Sequence, residues 1–119
     1  MIFRNYQEYL DKKETLAQSL KGRYGCIVEF NGFVREYDIK GGKRVPAKGL
    51  NVEEVVIEKL KEIRDEAIKK YDLLEVVIFH ETGFLEVGER VASIAVFARH
   101  RKEAFLALAF IIDEMKKYH

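Results

Sequence analysis

Four consecutive basic residues, Arg99-His100-Arg101-Lys102, are the most unusual local feature of the sequence. They fall where a predicted strand ends and the last predicted helix begins. A helix N-terminus carries partial positive charge, and no Ser, Thr, Asp or Asn is present here to cap its free amides. A phosphate would compensate both the cations and the uncapped amides, so the segment is a candidate anion site. The alternative is a solvated basic turn.

Two further cations are candidates for chemistry. Arg35 follows the first long predicted strand, where its guanidinium could bind an oxyanion through two hydrogen bonds or simply pair with Glu36. Lys116 lies at the edge of the apolar stripe of the last helix. Its amine could be partly desolvated and act as an acid, a base or a covalent partner, or it could reach water along its stem. The pattern leaves both interpretations of each residue open.

The sequence lacks the residue patterns that a metal site or a common nucleotide-binding loop would require. His80, His100 and His119 are scattered and Cys26 is the only thiol, so we predict neither a metal site nor a cofactor. Cys26 lies within a predicted strand, which is typical of a small core residue rather than a catalytic thiol. Neither a P-loop nor a GxGxxG motif is present.

Composition bounds the class of protein. A chain of 119 residues suits one domain over 1–119, and 48% hydrophobic residues permit a real core. The net charge of +1 argues against a nucleic-acid partner. A single cysteine, no signal peptide and no apolar run of membrane-spanning length predict a cytoplasmic protein without a membrane contact.

The elements predicted in the first part of the chain are those expected to hold Arg35 in place. Helical spacing predicts a helix over 6–20, and a run of β-branched and aromatic residues predicts a strand over 24–34. Residues 36–50 are rich in glycine and are predicted to be loop-like, either as a hairpin or as a mobile lid.

The remaining predicted elements are a helix over 51–71, core strands over 73–80 and 89–98, a long hairpin loop over 81–88 and a final helix over 101–118. Asn51 is the expected N-cap of the first of these helices, and Glu54 completes a loose capping box. The last helix is predicted to face inward with its apolar positions Phe105, Leu108, Ala109, Ile112 and Met115. The order α-β-loop-α-β-β-α has no regular βαβ alternation, which predicts an α+β fold with a mainly antiparallel sheet packed with helices.

Two segments resemble a known family. GCIVEFNGFVRE resembles the motif G-x-x-V-x-F-x-G-x-V-R, and the run from Phe79 to Lys116 resembles the motif H-R-x-G-x-L-x-x-G followed by H-R-x-x-A-F-x-A and a helix ending in lysine. With the connecting helix, the match covers about residues 22–117. On these residues the chain is similar to the large, catalytic subunits of molybdopterin synthase.

The resemblance implies an α/β hammerhead fold and a specific activity. The family transfers sulfur from a thiocarboxylate, on the C-terminal Gly-Gly of a ubiquitin-like small subunit, to cyclic pyranopterin monophosphate. Large subunits form a homodimer with one small subunit at each end, a heterotetramer. Matched by motif, Arg35, His100 and Arg101 would hold the substrate phosphate and pterin, and Lys116 would act on the sulfur-transfer intermediate.

The helix itself imposes a constraint on such a site. Arg101 and Lys116 are fifteen positions apart, which is about 22 Å along an α-helix. One small substrate cannot touch both residues of the same chain. We therefore expect His100 and Arg101 of one protomer to face Lys116 of the other.

The sequence departs from the family pattern at three points. The family continues past the last helix through a segment P-x-W-K-(K/R)-E that holds a second active-site lysine, so the chain is expected to be a short form. The first H-R pair of the family is His80-Glu81 here, and PAKGLNVEE replaces a segment with two tyrosines. Three hypotheses stay open: an active synthase subunit, a non-catalytic relative that dimerises and binds the small subunit or an anionic ligand, and a small anion- or nucleotide-binding α+β regulatory domain.

Overall fold

A computed structural model describes residues 1–118. His119, one of the three scattered histidines, lies outside the described residues. Along the described chain the elements are β1 (Ile2–Phe3), α1 (Tyr6–Ser19), β2 (Cys26–Phe33), β3 (Tyr37–Lys40), β4 (Lys43–Pro46), β5 (Leu50–Val52), α2 (Val55–Tyr71), β6 (Glu75–His80), β7 (Gly83–Leu85), β8 (Arg90–Ala98) and α3 (Arg101–Lys116).

The central sheet has the strand order β1-β6-β8-β2. Strand β8 pairs antiparallel with both β6 and β2, and the short β1 runs parallel to β6. Two small antiparallel pairs, β3-β4 and β5-β7, lie outside it. The predicted α+β class with a mainly antiparallel sheet is confirmed, and the β3-β4 pair corresponds to the hairpin alternative for residues 36–50. Strand β1 and the β5-β7 pair were not predicted as strands.

Helices cover both faces of β6 and β8, which explains why these strands are buried along nearly their whole length. Alternate side chains point to opposite faces of a strand, so each strand contributes to two layers of core. One face packs against α1 through Val77, Phe79, Ala95 and Phe97. The other face packs against α2 and α3 through Val76, Ile78, Ile94 and Val96.

The inward face of α3 differs in part from the prediction. Leu108 and Met115 are buried as expected, but Phe105 is 59% exposed and Ala109 is also exposed. The other buried positions are Ala104, Ala107 and Ile111, with Ile112 half-buried. The middle of this helix is apolar nearly all round, so the spacing of its apolar residues does not single out one face. The packing against the sheet therefore decides which face is buried.

The start of α2 is also corrected. The helix begins at Val55, and Asn51 lies in β5 rather than at the helix N-cap. Glu54 precedes the helix without forming a side-chain capping bond. Strand β5 forms because it pairs with β7. Strand β7 lies in the segment 81–88, which was predicted as a plain hairpin loop, so the pairing partner of β5 is distant in sequence.

Residues 36–50 resolve into a hairpin rather than an unstructured lid. Strands β3 and β4 pair from Tyr37↔Pro46 to Lys40↔Lys43. Gly41 and Gly42 form the turn with φ of 58° and 79°, values that two-residue hairpin turns require and that glycine adopts without strain. The hairpin begins shortly after Arg35 and therefore lies beside this predicted site residue.

Candidate functional site

The basic segment predicted from sequence lines a cleft of about 530 Å³ at the N-terminus of α3. Strand β8 ends at Ala98, and His100 occupies the N-cap with extended backbone and no side-chain capping bond. The free amides of the first turn and the cations therefore lie together, as an anion site requires. The cleft is lined by Gly25, Cys26, Arg99, His100, Arg101 and Lys102.

The cations of the cleft are not equivalent. Arg99 donates from Nη1 to the Asp72 carbonyl oxygen at 3.1 Å and lies 3.5 Å from Asp72 Oδ2, which ties it to the C-terminal end of α2. Within residues 1–118, the side chains of Arg101 and Lys102 make no ion pair or hydrogen bond. His100, Arg101 and Lys102 are exposed and remain available to a ligand.

Gly25 shapes the floor of the cleft. Its N–H donates to the Ala98 carbonyl at 2.9 Å, and a Cβ at this position would lie 2.2 Å from the Arg99 carbonyl oxygen. Only glycine lets β2 begin so close to the strand-to-helix turn. The motif glycine is thus explained by close backbone approach.

Replacing Gly25 by alanine is expected to lower the free energy of unfolding by about 1–3 kcal/mol, because the backbone at Arg99 must move away from the new methyl group. Urea unfolding followed by circular dichroism measures this loss. Gly32→Ala in β2 is the control, since its Cβ would meet the Phe30 side chain at 3.0 Å and a backbone atom, the Ala92 carbonyl oxygen, only at 4.0 Å. Equal losses for the two variants would contradict the close-approach explanation.

A second cavity, of about 280 Å³, lies at the opposite end of α3 and contains both Arg35 and Lys116. Its wall is mostly apolar and comes from four elements: Phe30, Gly32 and Phe33 of β2, Leu50 of β5, Val91 and Ala92 of β8, and Ile112 and Met115 of α3. Sequence reasoning did not identify these wall residues, because only the tertiary fold brings β5 to this place.

The two cavities separate the four predicted site residues within one chain. Arg35 was grouped with His100 and Arg101 as substrate-binding residues, but within one chain it lies with Lys116. Strand β2 begins at the basic cleft with Cys26 and ends beside Arg35, on the order of 25 Å away. The four predicted residues therefore form two half-sites, His100 with Arg101 and Arg35 with Lys116.

Arg35 has a local partner. Its Nη2 donates to Asp38 Oδ1 at 2.8 Å, so the paired alternative considered for this arginine holds with Asp38 in place of Glu36. Both side chains are more than half exposed, so this ion pair contributes little stability and a ligand anion can compete for the guanidinium.

His80 and Cys26 behave mostly as structural residues. His80 is fully buried, and its Nδ1 lies 2.7 Å from the Glu81 carbonyl oxygen. Cys26 is half-buried against the core, although it also borders the basic cleft, which was not predicted. Within residues 1–118, no group of three or more His, Cys, Asp or Glu side chains is arranged to hold a metal ion. In the same residues, no helix is long and apolar enough to cross a membrane.

A polar cluster lies on the α1 side of the sheet, away from both half-sites. Burial raises the pKa of Glu29, but hydrogen bonds from Lys13, Tyr9 and Asn31 outweigh burial and bring it below its ordinary value of 4.5. The donors lie at 2.7 Å for Lys13 Nζ, 2.5 Å for the Tyr9 hydroxyl and 3.3 Å for Asn31 Nδ2. Burial and the bond to Glu29 raise the pKa of Tyr9, which keeps its hydroxyl a donor.

The lowered pKa of Glu29 predicts a loss of stability in acid. Below its ordinary pKa of 4.5, the unfolded chain binds a proton at Glu29 that the folded chain does not, so stability falls as pH drops through the folded pKa. Urea unfolding at pH 7 and pH 3 should therefore show a larger loss for the wild type than for Glu29→Gln. Glu66→Gln, an exposed carboxylate on α2, is the control and should lose as much as the wild type.

The chain matches a known protein family and is similar in sequence to several known proteins. A family profile described as MoaE protein matches residues 6–118. An uncharacterized protein of Methanocaldococcus jannaschii is 56% identical over 119 residues, the whole of both chains. The molybdopterin synthase catalytic subunit of Pyrococcus abyssi is 37% identical over 106 residues, covering 88% of this chain and 70% of that one. In alignments with such catalytic subunits, the chain spans 52% to 72% of the relative's length.

Solved structures agree. Molybdopterin synthase from Staphylococcus aureus aligns with a TM-score of 0.69 and 30% identity, over 87% of this chain and 76% of that one. A complex of subunits 1 and 2 of molybdopterin-converting factor from Helicobacter pylori aligns with a TM-score of 0.66 and 19% identity, over 97% and 75%, and supports the fold alone. Since the family profile extends from α1 to the residues just after α3 and includes all four predicted site residues, the chain belongs to the MoaE protein family.

Proposed function

We propose that the chain acts in molybdenum cofactor biosynthesis as a catalytic subunit of molybdopterin synthase. It transfers sulfur from the thiocarboxylated C-terminal Gly-Gly of a ubiquitin-like small subunit to cyclic pyranopterin monophosphate. The observation that carries the proposal is the presence of two complementary half-sites at opposite ends of one helix, an anion cleft and a lysine-containing apolar cavity.

The two half-sites call for a homodimer. Along α3, Arg101, Phe105, Ala109, Ile112 and Lys116 recur at intervals of three or four residues and form one stripe of the helix surface. Phe105 in the middle of this stripe is 59% exposed and its neighbour Leu106 is 49% exposed, so α3 presents adjoining apolar side chains at its surface.

A two-fold axis near Ala109 would bury this stripe against its own copy. Two α3 helices packed antiparallel along it bring Arg101 of one protomer toward Lys116 of the other, because a two-fold interface pairs the two ends of the helix reciprocally. Each dimer then contains two composite sites. Each site joins His100 and Arg101 of one chain to Arg35 and Lys116 of its partner.

The cavity around Lys116 suits an extended glycine tail. Its wall is mainly apolar, and Gly32 contributes no side chain to it. A Gly-Gly terminus has no side chains either, so it can enter a narrow slot that excludes bulkier peptides. The Helicobacter pylori protein of the same fold was solved as a complex of both converting-factor subunits, and the proposal assigns this chain a small-subunit partner of the same kind.

The residues divide the chemistry between them. The amides and cations of the basic cleft bind the substrate phosphate, and Arg35 exchanges Asp38 for an anionic ligand. Lys116 is exposed and lines the cavity that would serve as the tail slot. There its ammonium stabilises the charge on the acyl oxygen while water displaces the sulfur, which is by then bonded to the substrate. The acyl–sulfur bond breaks and a carboxylate remains on the tail.

Reconstitution tests the proposal. The full chain is mixed with a thiocarboxylated small subunit and cyclic pyranopterin monophosphate, and dithiolene product is measured. Product formation by the wild type is the expected result. Stable complex formation without product would overturn it in favour of a non-catalytic relative, and no complex at all would favour an anion-binding regulatory domain.

A further inference from the structure

A third cavity, of about 180 Å³, lies between the C-terminal end of α2 and the N-terminal turn of α3. It is lined by Tyr71, Asp72, Arg99, His100 and Glu103. Because Arg99 and His100 also line the basic cleft, the two cavities adjoin across this pair. A ligand anchored by a phosphate in the cleft can therefore reach into this cavity.

Glu103 gives the cavity an unused hydrogen-bond acceptor. Its Oε2 is buried and has no hydrogen-bond partner among residues 1–118. A glutamate at this third helical position usually accepts a bond from the N-cap amide, which would satisfy it. A buried carboxylate oxygen without a donor is unfavourable, so a ligand that supplies a donor here gains affinity.

The surroundings of Glu103 define the shape and polarity of that ligand. Arg99 is already bonded to Asp72 at 3.1 Å, and no ion pair joins it to Glu103 within the described residues. The Tyr71 ring packs edge-on against Phe110 with centroids 5.9 Å apart, which holds it as a rigid wall. A flat heterocycle that presents N–H donors fits an acceptor beside an aromatic wall.

We propose that this cavity is a subsite for the heterocyclic end of the substrate, in which Glu103 accepts hydrogen bonds from an aminopyrimidinone edge while the phosphate lies in the basic cleft. The inference rests on the proposed function, because it assumes a pterin phosphate as the ligand. It assigns Glu103 a binding role that selects the ring, separate from the residues that select the phosphate.

A matched pair of ligands tests the subsite with the wild-type protein. A stable pterin phosphate is compared with the corresponding lumazine phosphate, in which a carbonyl replaces the 2-amino group, by isothermal titration calorimetry. We expect the pterin to bind at least about tenfold more tightly, because a hydrogen bond to a charged acceptor is lost in the lumazine. Equal affinities would overturn the subsite even if the variants below failed to fold.

Two variants locate the effect. Glu103→Gln should reduce the preference for pterin over lumazine to about twofold or less, while its affinity for inorganic phosphate does not fall. Asp113→Asn removes the same charge from an exposed position of α3 and should keep the full preference. Equal behaviour of the two variants would overturn a local role for Glu103.

The outcome is distinguishable from failure of the proposed function. Ring preference without sulfur transfer would contradict the activity and leave the subsite supported. Sulfur transfer without ring preference would contradict the subsite and leave the activity supported.

Discussion

A one-to-one mixture of Arg101→Ala and Lys116→Ala protomers is expected to recover about a quarter of wild-type sulfur-transfer activity, although each variant alone is inactive. In the proposed composite site, Arg101 and Lys116 come from different chains. A mixed dimer therefore has one site that lacks both residues and one site that is intact. Random exchange makes about half of the dimers mixed, and half of their sites are intact.

The same experiment discriminates between architectures. If each site were contained within one chain, every site in the mixture would lack one residue and mixing would recover nothing. Mixing Arg101→Ala with Arg101→Ala,Lys116→Ala protomers is the control, since no combination of these chains restores an intact site. Recovery in that control would show that Arg101 is dispensable and would refute the composite site.

Lys116→Ala is expected to reduce product formation by at least about a hundredfold, because in the proposed mechanism the Lys116 amine acts on the acyl group directly. Binding of the small subunit should change little, since most of the slot is formed by other side chains. Single-turnover assays with preloaded thiocarboxylate separate these two effects from each other.

Lys117→Ala is the matched control for this prediction. Lys117 is the next residue, carries the same charge and is paired with Glu114 at 2.8 Å, but it does not line the cavity. A general loss of positive charge near the end of α3 would affect both variants equally. A loss confined to Lys116 would identify the position of the amine as the cause.

Complementation in mixed dimers also tests which residues belong to the same half-site. Arg35 shares the cavity of Lys116, so Arg35→Ala should complement Arg101→Ala in mixed dimers and should fail to complement Lys116→Ala. This pattern follows from which residues share a cavity, and the order of the residues in the sequence does not predict it.

Much of the fold followed from local pattern. The long helices and the three main strands were predicted close to their observed positions, because helical and strand periodicities are set by neighbouring residues. The errors occur where distant partners decide. Strand β5 replaced the predicted start of α2 because it pairs with β7, and Phe105 turned outward because an all-round apolar helix has no preferred face.

The sequence by itself determined the family motif, the uncapped basic start of α3 and the distance between Arg101 and Lys116. The last of these was available because an α-helix is a rigid spacer of known rise. Only the tertiary structure decided that Arg35 lies with Lys116, since that grouping depends on where β2 ends relative to α3. It also decided that Glu103 has a buried oxygen without a donor among residues 1–118, because burial comes from the packing of α2 against α3, which no local pattern encodes.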